Sequence, residues 1–370
     1  MRGEKERQEG MWVHFSVEAR MPADDPLRKI KELVDKRLAG MSAAFDGAYS
    51  DVGRPSIPPE ILLKSLLLQA LYSIRSERQL VDQINWNMRY RWFVDLPADA
   101  PIWDATTFTK NRERFAMKGL VGIFFDEIVK EAIEKGLVSN EYFTVDGTLI
   151  QAHASIKSFK RKDGEGKGPE DDDPKNPTVN FHGEKRGNKT HESTTDPESL
   201  LMKKGQGKEA KLSHGASILM ENRNGLCVGM RVHSPFPSGE AEAAPKLVAV
   251  ARKKHGLRVT TLGADAGYDN GPELERLEDM KVLVHVPVNL RPMDPERKGA
   301  GARMRAWKRM PTKGYEISQR VRKRVEEIFG WMKTVGGQAR TRFIGRWRLE
   351  ESLLVTGAAY NLIRMARCVT

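Results

Sequence analysis

Tyr142-Phe-Thr-Val-Asp-Gly-Thr-Leu-Ile150 is the stretch where the chain changes its period. Phe143 and Val145 fall on one side and Thr144, Asp146 and Thr148 on the other, the two-residue alternation of a β-strand. The strand sets Asp146 on a polar stripe within an otherwise apolar segment. A carboxylate there is costly unless it is paired or binds a cation.

Before this strand the pattern is helical. Residues 1–25 are polar and weakly patterned, a loose arm, and residues 26–138 form a helical unit. Leu27, Ile30, Leu33, Val34 and Leu38 recur at helical spacing, and Pro58-Pro59 open a helix running to Tyr72. Ser76 with Gln79 is a capping box for the next helix, so the pair joined by Ser73-Ile74-Arg75 reads either as a helix-turn-helix or as a simple packing unit. Trp86, Trp92, Phe93 and Trp103, interleaved with arginines, read as core of this unit in preference to base-stacking groups.

After the strand, residues 157–212 are rich in Lys, Gly, Asp, Pro and Asn and are not expected to enter a core. Asp171, Asp172 and Asp173 within them read as a solvated acidic run. Asn224-Gly225, flanked by β-prone residues, predicts a hairpin with a type I′ turn. A helix over 239–255, a strand from Val259 toward Asp265, a short helix over 272–280, a strand over 282–288 and a last helix over 351–367 complete a mixed α/β unit spanning 139–370.

Gln319-Arg-Val-Arg-Lys-Arg-Val-Glu-Glu-Ile-Phe-Gly-Trp-Met-Lys333 predicts one continuous amphipathic helix. Val321, Val325, Ile328 and Met332 form its apolar stripe, while Gln319, Arg322, Glu326, Gly330 and Lys333 lie nearly opposite. The helix sits in the most basic part of the chain. Residues 291–348 hold 17 Lys/Arg against 5 Asp/Glu, an excess equal to the +12 of all 370 residues. Such a surface around an isolated carboxylate suits an enzyme of nucleic acids. No segment approaches the ~20 apolar residues of a membrane helix, and the first residues lack a secretory signal, so a cytoplasmic protein is expected. Cys227 and Cys368 are the sole cysteines, too few for a disulfide framework or a cysteine-rich zinc site. His153, His182, His191, His214 and His233 follow no metal-ligand spacing.

Asp146 on a strand, Asp265 at the carboxyl end of another and Glu326 on a helix beside both would repel one another unless divalent cations lay between them. Hard oxygen ligands suit Mg²⁺ or Mn²⁺. Two such ions can activate a nucleophile and stabilise in-line phosphoryl transfer.

Tyr-Phe-Thr-Val-Asp146-Gly-Thr, Gly-Ala-Asp265-Ala-Gly-Tyr-Asp and Arg322-x3-Glu326-x6-Lys333 resemble, in order, the three blocks of DDE transposases of bacterial insertion sequences. The likeness is to the group that includes insertion sequences four and five. Gly53-Arg-Pro-Ser-Ile-Pro-Pro-Glu-Ile-Leu and Ser76-Glu-Arg-Gln-Leu resemble that group's N-terminal domain. The resemblance implies an RNase H-like mixed-sheet catalytic domain preceded by an all-helical DNA-binding domain. It implies Asp146, Asp265 and Glu326 as catalytic metal ligands for two Mg²⁺ or Mn²⁺ ions, with Arg322 and Lys333 on DNA phosphates. Gln319, Arg320, Lys323 and Arg324 join them as expected DNA contacts, although Gln319 stands where the family often has tyrosine. Asp269 competes with Asp265 as second ligand; Asp265 lies nearer the strand end. The implied reaction is hydrolysis at transposon ends followed by strand transfer into target DNA by a DNA-bound homo-oligomer. A catalytically inactive DNA-binding regulator and a plain metal-dependent nuclease are the alternatives.

Overall fold

The computed structural model describes residues 16–50, 52–53, 55–162, 180–181, 184–185, 187–203, 205, 207–289 and 296–368. Asp171, Asp172, Asp173 and His182, with residues 1–15 of the expected arm, lie outside them. Eight helices come first: α1 Val17–Arg20, α2 Pro26–Ala39, α3 Ser42–Asp46, α4 Pro59–Leu71, α5 Glu77–Trp86, α6 Met88–Phe93, α7 Thr106–Lys118 and α8 Leu120–Glu134. Asp25 caps α2 by accepting from Leu27 N at 2.8 Å, and Ser76 caps α5 by accepting from Gln79 N at 3.1 Å. Helix α4 is apolar nearly all round. It buries Leu62, Leu63, Leu67 and Leu68, and its buried Lys64 is neutralised by Asp35 and Asp95. The α4–α5 pair is thus built into the core along α4, while α5 buries Leu80 and Ile84. Trp103 and Phe93 are core residues as expected, but Trp86 ends α5 with 78% of its surface exposed.

The strands are β1 Tyr142–Gln151, β2 Phe159–Arg161, β3 Asn180–Phe181, β4 Glu184–Lys185, β5 His191–Ser193, β6 Leu200–Lys203, β7 Ala210–Glu221, β8 Leu226–His233, β9 Thr261–Gly263 and β10 Leu283–His285. One mixed sheet runs β10-β9-β1-β7, with β6 and β8 both pairing β7. β1 and β7 are antiparallel, with Asp146 opposite Ile218 and Gly147 opposite Ser217, whereas β9 runs parallel to β1 and β10 parallel to β9. Helices α9 Pro237–His255 and α10 Gly271–Asp279 cover the Val145 face, where Leu262 and Val284 meet Ala241, Ala244, Leu274 and Leu277. Helices α11 Ala300–Arg309, α12 Lys313–Arg322, α13 Val325–Thr334 and α14 Arg346–Cys368 follow. α12 and α13 pack on β1, and α14 packs on β8 and on α2, α4 and α8. The main hydrophobic core consequently runs from Leu27 to Met365 through both helices and sheet, beside a small second cluster.

Three expectations are corrected. The helix predicted over 319–333 is two helices that meet at Lys323-Arg324. There i→i−3 bonds replace the α-helical ladder, from Arg324 N to Val321 O, Glu326 N to Lys323 O and Glu327 N to Arg324 O. Arg324 holds the bend by donating to Asn222 O at 2.6 Å and Arg223 O at 2.8 Å, and Val325 then turns into the core. The hairpin turn is four residues long because Glu221 pairs with Leu226, and Gly225 supplies the left-handed residue at φ 66°. The polar stretch over 157–212 also contributes to a core at its ends. Phe159 and Leu212 pack with Ala152 and Ala154, and β2 pairs with β5. Asp196 there accepts from His214 Nε2 at 2.9 Å, both side chains being fully buried.

Candidate active site

β9 ends at Gly263, opposite Thr144, so the chain that leaves it passes beside Asp146. Asp265 turns at once: its carboxylate accepts from Gly267 N at 2.9 Å and caps the short turn Ala266–Tyr268. Helix α12 lies directly over this exit, since a Cβ on Gly263 would come within 2.8 Å of Ser318 Oγ. Gln319 fastens the helix there by donating through Nε2 to Ala264 O at 3.0 Å and His285 O at 2.8 Å. Arg322, nearly one turn on, brings Nη1 to 3.5 Å from Asp146 Oδ2 and donates through Nε to Gln319 Oε1 at 3.3 Å. Glu326 stands in the first turn of α13. Near the end of α13, Lys333 donates to Thr148, two residues beyond Asp146 on the same face of β1.

The strand, the exit from β9 and the start of α13 therefore bring Asp146, Asp265 and Glu326 into one electrostatic environment. Burial pushes the Asp146 carboxyl up to about 6, and the charges of Asp265 and Glu326 push the same way, against the Gly147 N–H and the Arg322 guanidinium. Only 14% of the Asp146 side chain is exposed. Asp269, the competitor of Asp265, is taken: Arg303 grips both its oxygens at 2.6 Å. Arg320 and Lys323 are exposed beside the site, whereas Arg324 is engaged with the main chain of the β7–β8 turn.

A fourth carboxylate, absent from the sequence reading, belongs to the same field. Glu240 in the first turn of α9 is pushed up to about 7, first by burial and then by Asp265 and Asp146. It packs on the main chain of β1 so closely that a Cβ on Gly147 would lie 2.1 Å from its Oε1. The signal for it is a glycine inside a strand, which marks close approach by another group. Below it, Tyr268 is buried and shares a polar row with Ser217 and His233, whose Nε2 lies 2.9 Å from Ser217 Oγ.

Carboxylates pressed together until one holds its proton near neutrality are the electrostatic complement of a hard cation, which would relieve the repulsion. The donor set is all oxygen, and it fits a divalent ion of the Mg²⁺ or Mn²⁺ class. Among the described residues, no three His, Cys, Asp or Glu side chains already close on a common point.

The profile of the Transposase DDE domain family matches residues 143–362, and that of the Transposase domain (DUF772) matches residues 15–114. Among solved structures, a piggyBac transposase synaptic complex with hairpin DNA is 10% identical, covering 92% of this chain and 75% of that chain with a TM-score of 0.38. A Mos1 transposase paired-end complex with left transposon end is 11% identical over 80% of this chain and 83% of that chain, at a TM-score of 0.22. A Mos1 mariner paired end complex with Mn is 14% identical over 89% and 92%, at 0.19. Assignment therefore rests on the sequence profiles, the larger of which spans more than half of the chain and all three candidate carboxylates. The chain belongs to the DDE transposase family.

Proposed function

We propose that this DNA transposase recognises the terminal repeats of a bacterial insertion sequence of the four/five group and moves it by cutting and pasting. Asp146, Asp265 and Glu326 are its proposed metal ligands, for two Mg²⁺ or Mn²⁺ ions. The observation that carries the reading is the convergence of β1, the exit from β9 and α12–α13 on Asp146. Arg322 Nη1 lies 3.5 Å from its Oδ2, Lys333 donates to Thr148 on the same strand face, and the charges of Asp265 and Glu326 both act on it. When bound, the ions would supply a metal-activated water or 3′-hydroxyl and charge neutralisation at the phosphate.

The chain's own residues do the remainder. Arg322 and Lys333 flank Asp146 along one face of β1 and hold phosphate oxygens on either side of the scissile bond. Arg320 and Lys323, exposed next to them, contact the flanking backbone. Gln319 acts through its two main-chain bonds as a clamp on α12, and Arg324 as a clamp on the bend, so their part in DNA binding is to position their neighbours. The strand order β8-β7-β1-β9-β10, three antiparallel strands and then two parallel ones, supports an RNase H-like catalytic unit over 139–370. The helical unit over 26–138 is its DNA-binding partner. The working form on two transposon ends is a homo-oligomer, acting on double-stranded DNA at the bacterial nucleoid.

The test is cleavage and joining of a duplex carrying the element's terminal repeats, in Mg²⁺ against EDTA, with Glu326→Gln in parallel. Metal-dependent nicking and joining, lost by at least a thousandfold in the variant, is the expected result. Cleaved ends that never join a second duplex would make the protein a nuclease, and binding without cleavage would make it a regulator.

A further inference from the structure

A cavity of about 360 Å³ opens between the helical unit and the C-terminal helix, away from the carboxylates. Its walls come from α4, α7, α8, α14 and the segment after α13, and Ser73 closes one side by donating to Val335 O at 2.8 Å. The volume lies in the range of small-ligand pockets. Phe108 and Phe115 give it aromatic walls, while the ring of Phe343 carries the Arg112 guanidinium at 4.5 Å and that of Arg342 at 5.4 Å. Its mouth is cationic: Arg112 and Arg342 share Glu77 at 2.6 and 3.9 Å, and Arg75 adds a third guanidinium to the lining.

One buried polar group inside it lacks a partner, and a half-buried carboxylate stands on the same lining. Gln69 is 8% exposed, and its Oε1 accepts from Arg342 Nη2 at 3.1 Å, which fixes the amide with Nε2 buried and without a hydrogen-bond partner. The carboxylate, Glu351, is pushed up to about 7 by burial, against the charge of Arg112. The occupant such a cavity asks for is planar and apolar on its faces, accepts at one edge position, donates beside it, and carries a negative charge toward the mouth.

We infer that this cavity binds a nucleotide, its base against Phe108 and Phe115 and edge-on to Gln69 and Glu351, its phosphate at the arginines stacked on Phe343. Of the four bases, guanine offers a carbonyl for the amide next to two N–H groups for one carboxylate. Buried polar groups read an unstacked base in this way, and aromatic walls hold its faces. The source is either an unstacked residue of DNA or a free mononucleotide. Because Gly336, Gly337 and Gln338 line the cavity just after α13, an occupant bears on the helix that carries Glu326. The inference does not depend on the carboxylate assignment.

The experiment measures binding to the full chain in EDTA. The probes are guanosine 5′-monophosphate, a 5′-phosphorylated thymine oligonucleotide with one central guanine, and the same oligonucleotide abasic at that position. Saturable binding of the monophosphate, or at least tenfold tighter binding of the guanine oligonucleotide than of the abasic one, is expected. Gln69→Leu and Glu351→Gln should each weaken it at least tenfold. A preference for the oligonucleotide assigns the source to DNA, and equal or tighter binding of the monophosphate assigns it to free nucleotide. Photo-crosslinking of 8-azidoguanosine 5′-monophosphate to the unaltered protein should label peptides containing Gln69, Phe343 or Glu351. Label elsewhere, or guanine and abasic probes that bind alike with no binding of the monophosphate, would overturn the inference.

Discussion

Glu240 lies against the backbone of Gly147, the residue after Asp146, and burial raises both carboxyls. The folded Asp146 carboxyl, near 6, stands above its unfolded value of about 3.9, so the folded state binds the extra proton. Its contribution to stability is full below about pH 4, falls as the pH rises to about 6, and is lost above. In EDTA, urea titrations between pH 4 and 8 should follow this decline. Asp146→Asn should remove its share of the decline, leaving that of Glu240 up to about pH 7, and gain about 1–3 kcal/mol at pH 7.5. A divalent cation added to the native protein should recover most of the same loss. Gly147→Ala is the steric counterpart. Its methyl would meet the Glu240 carboxylate at 2.1 Å, and overpacking of this kind costs about 1–3 kcal/mol in chemical denaturation. Cys227, fully buried and pushed up to about 12, should be silent to Ellman's reagent in the native state while the exposed Cys368 reacts. One fast thiol in buffer and two in denaturant is the expected count.

Elements differ in how much of them the sequence declares. β1 is legible from two-residue alternation, and Asp146 and Asp265 stand out because each sits in a short local pattern beside a strand. The bend between α12 and α13 is not legible, because no proline or glycine marks it; it is held by Arg324 reaching a turn about a hundred residues earlier in the chain. Glu240 escapes for the same reason, since only the packing of α9 on β1 brings it to Gly147. The ends of the 157–212 stretch read as polar and yet bury Phe159 and Leu212, because strand pairing rather than composition selects which residues turn inward. The bend itself can be measured. Arg324→Ala should cost about 1–2 kcal/mol. Because Glu326 lies two residues past the bend, the variant should also lower nicking more than it lowers DNA affinity.

At the scale of the molecule, α14 is the shared wall. Asn361 on it donates to Cys227 O at 2.7 Å and accepts from Cys227 N at 2.9 Å, at 0% exposure. Asn361→Leu would leave both main-chain groups buried and unpaired, a loss of about 2–4 kcal/mol. Since one core joins helices and sheet, calorimetry should record one cooperative transition, lowered as a whole by that substitution. Two separable transitions would contradict a common core.

The same helix sets a schedule for biosynthesis. α2, α4 and α8 leave the ribosome more than two hundred residues before the surface that covers them, so the leucines of α4 wait uncovered while the sheet is still being made. A nascent chain in that condition is a customer for chaperones. A message cut short before α14 would leave those leucines uncovered, an apolar patch of the kind proteases and chaperones act on.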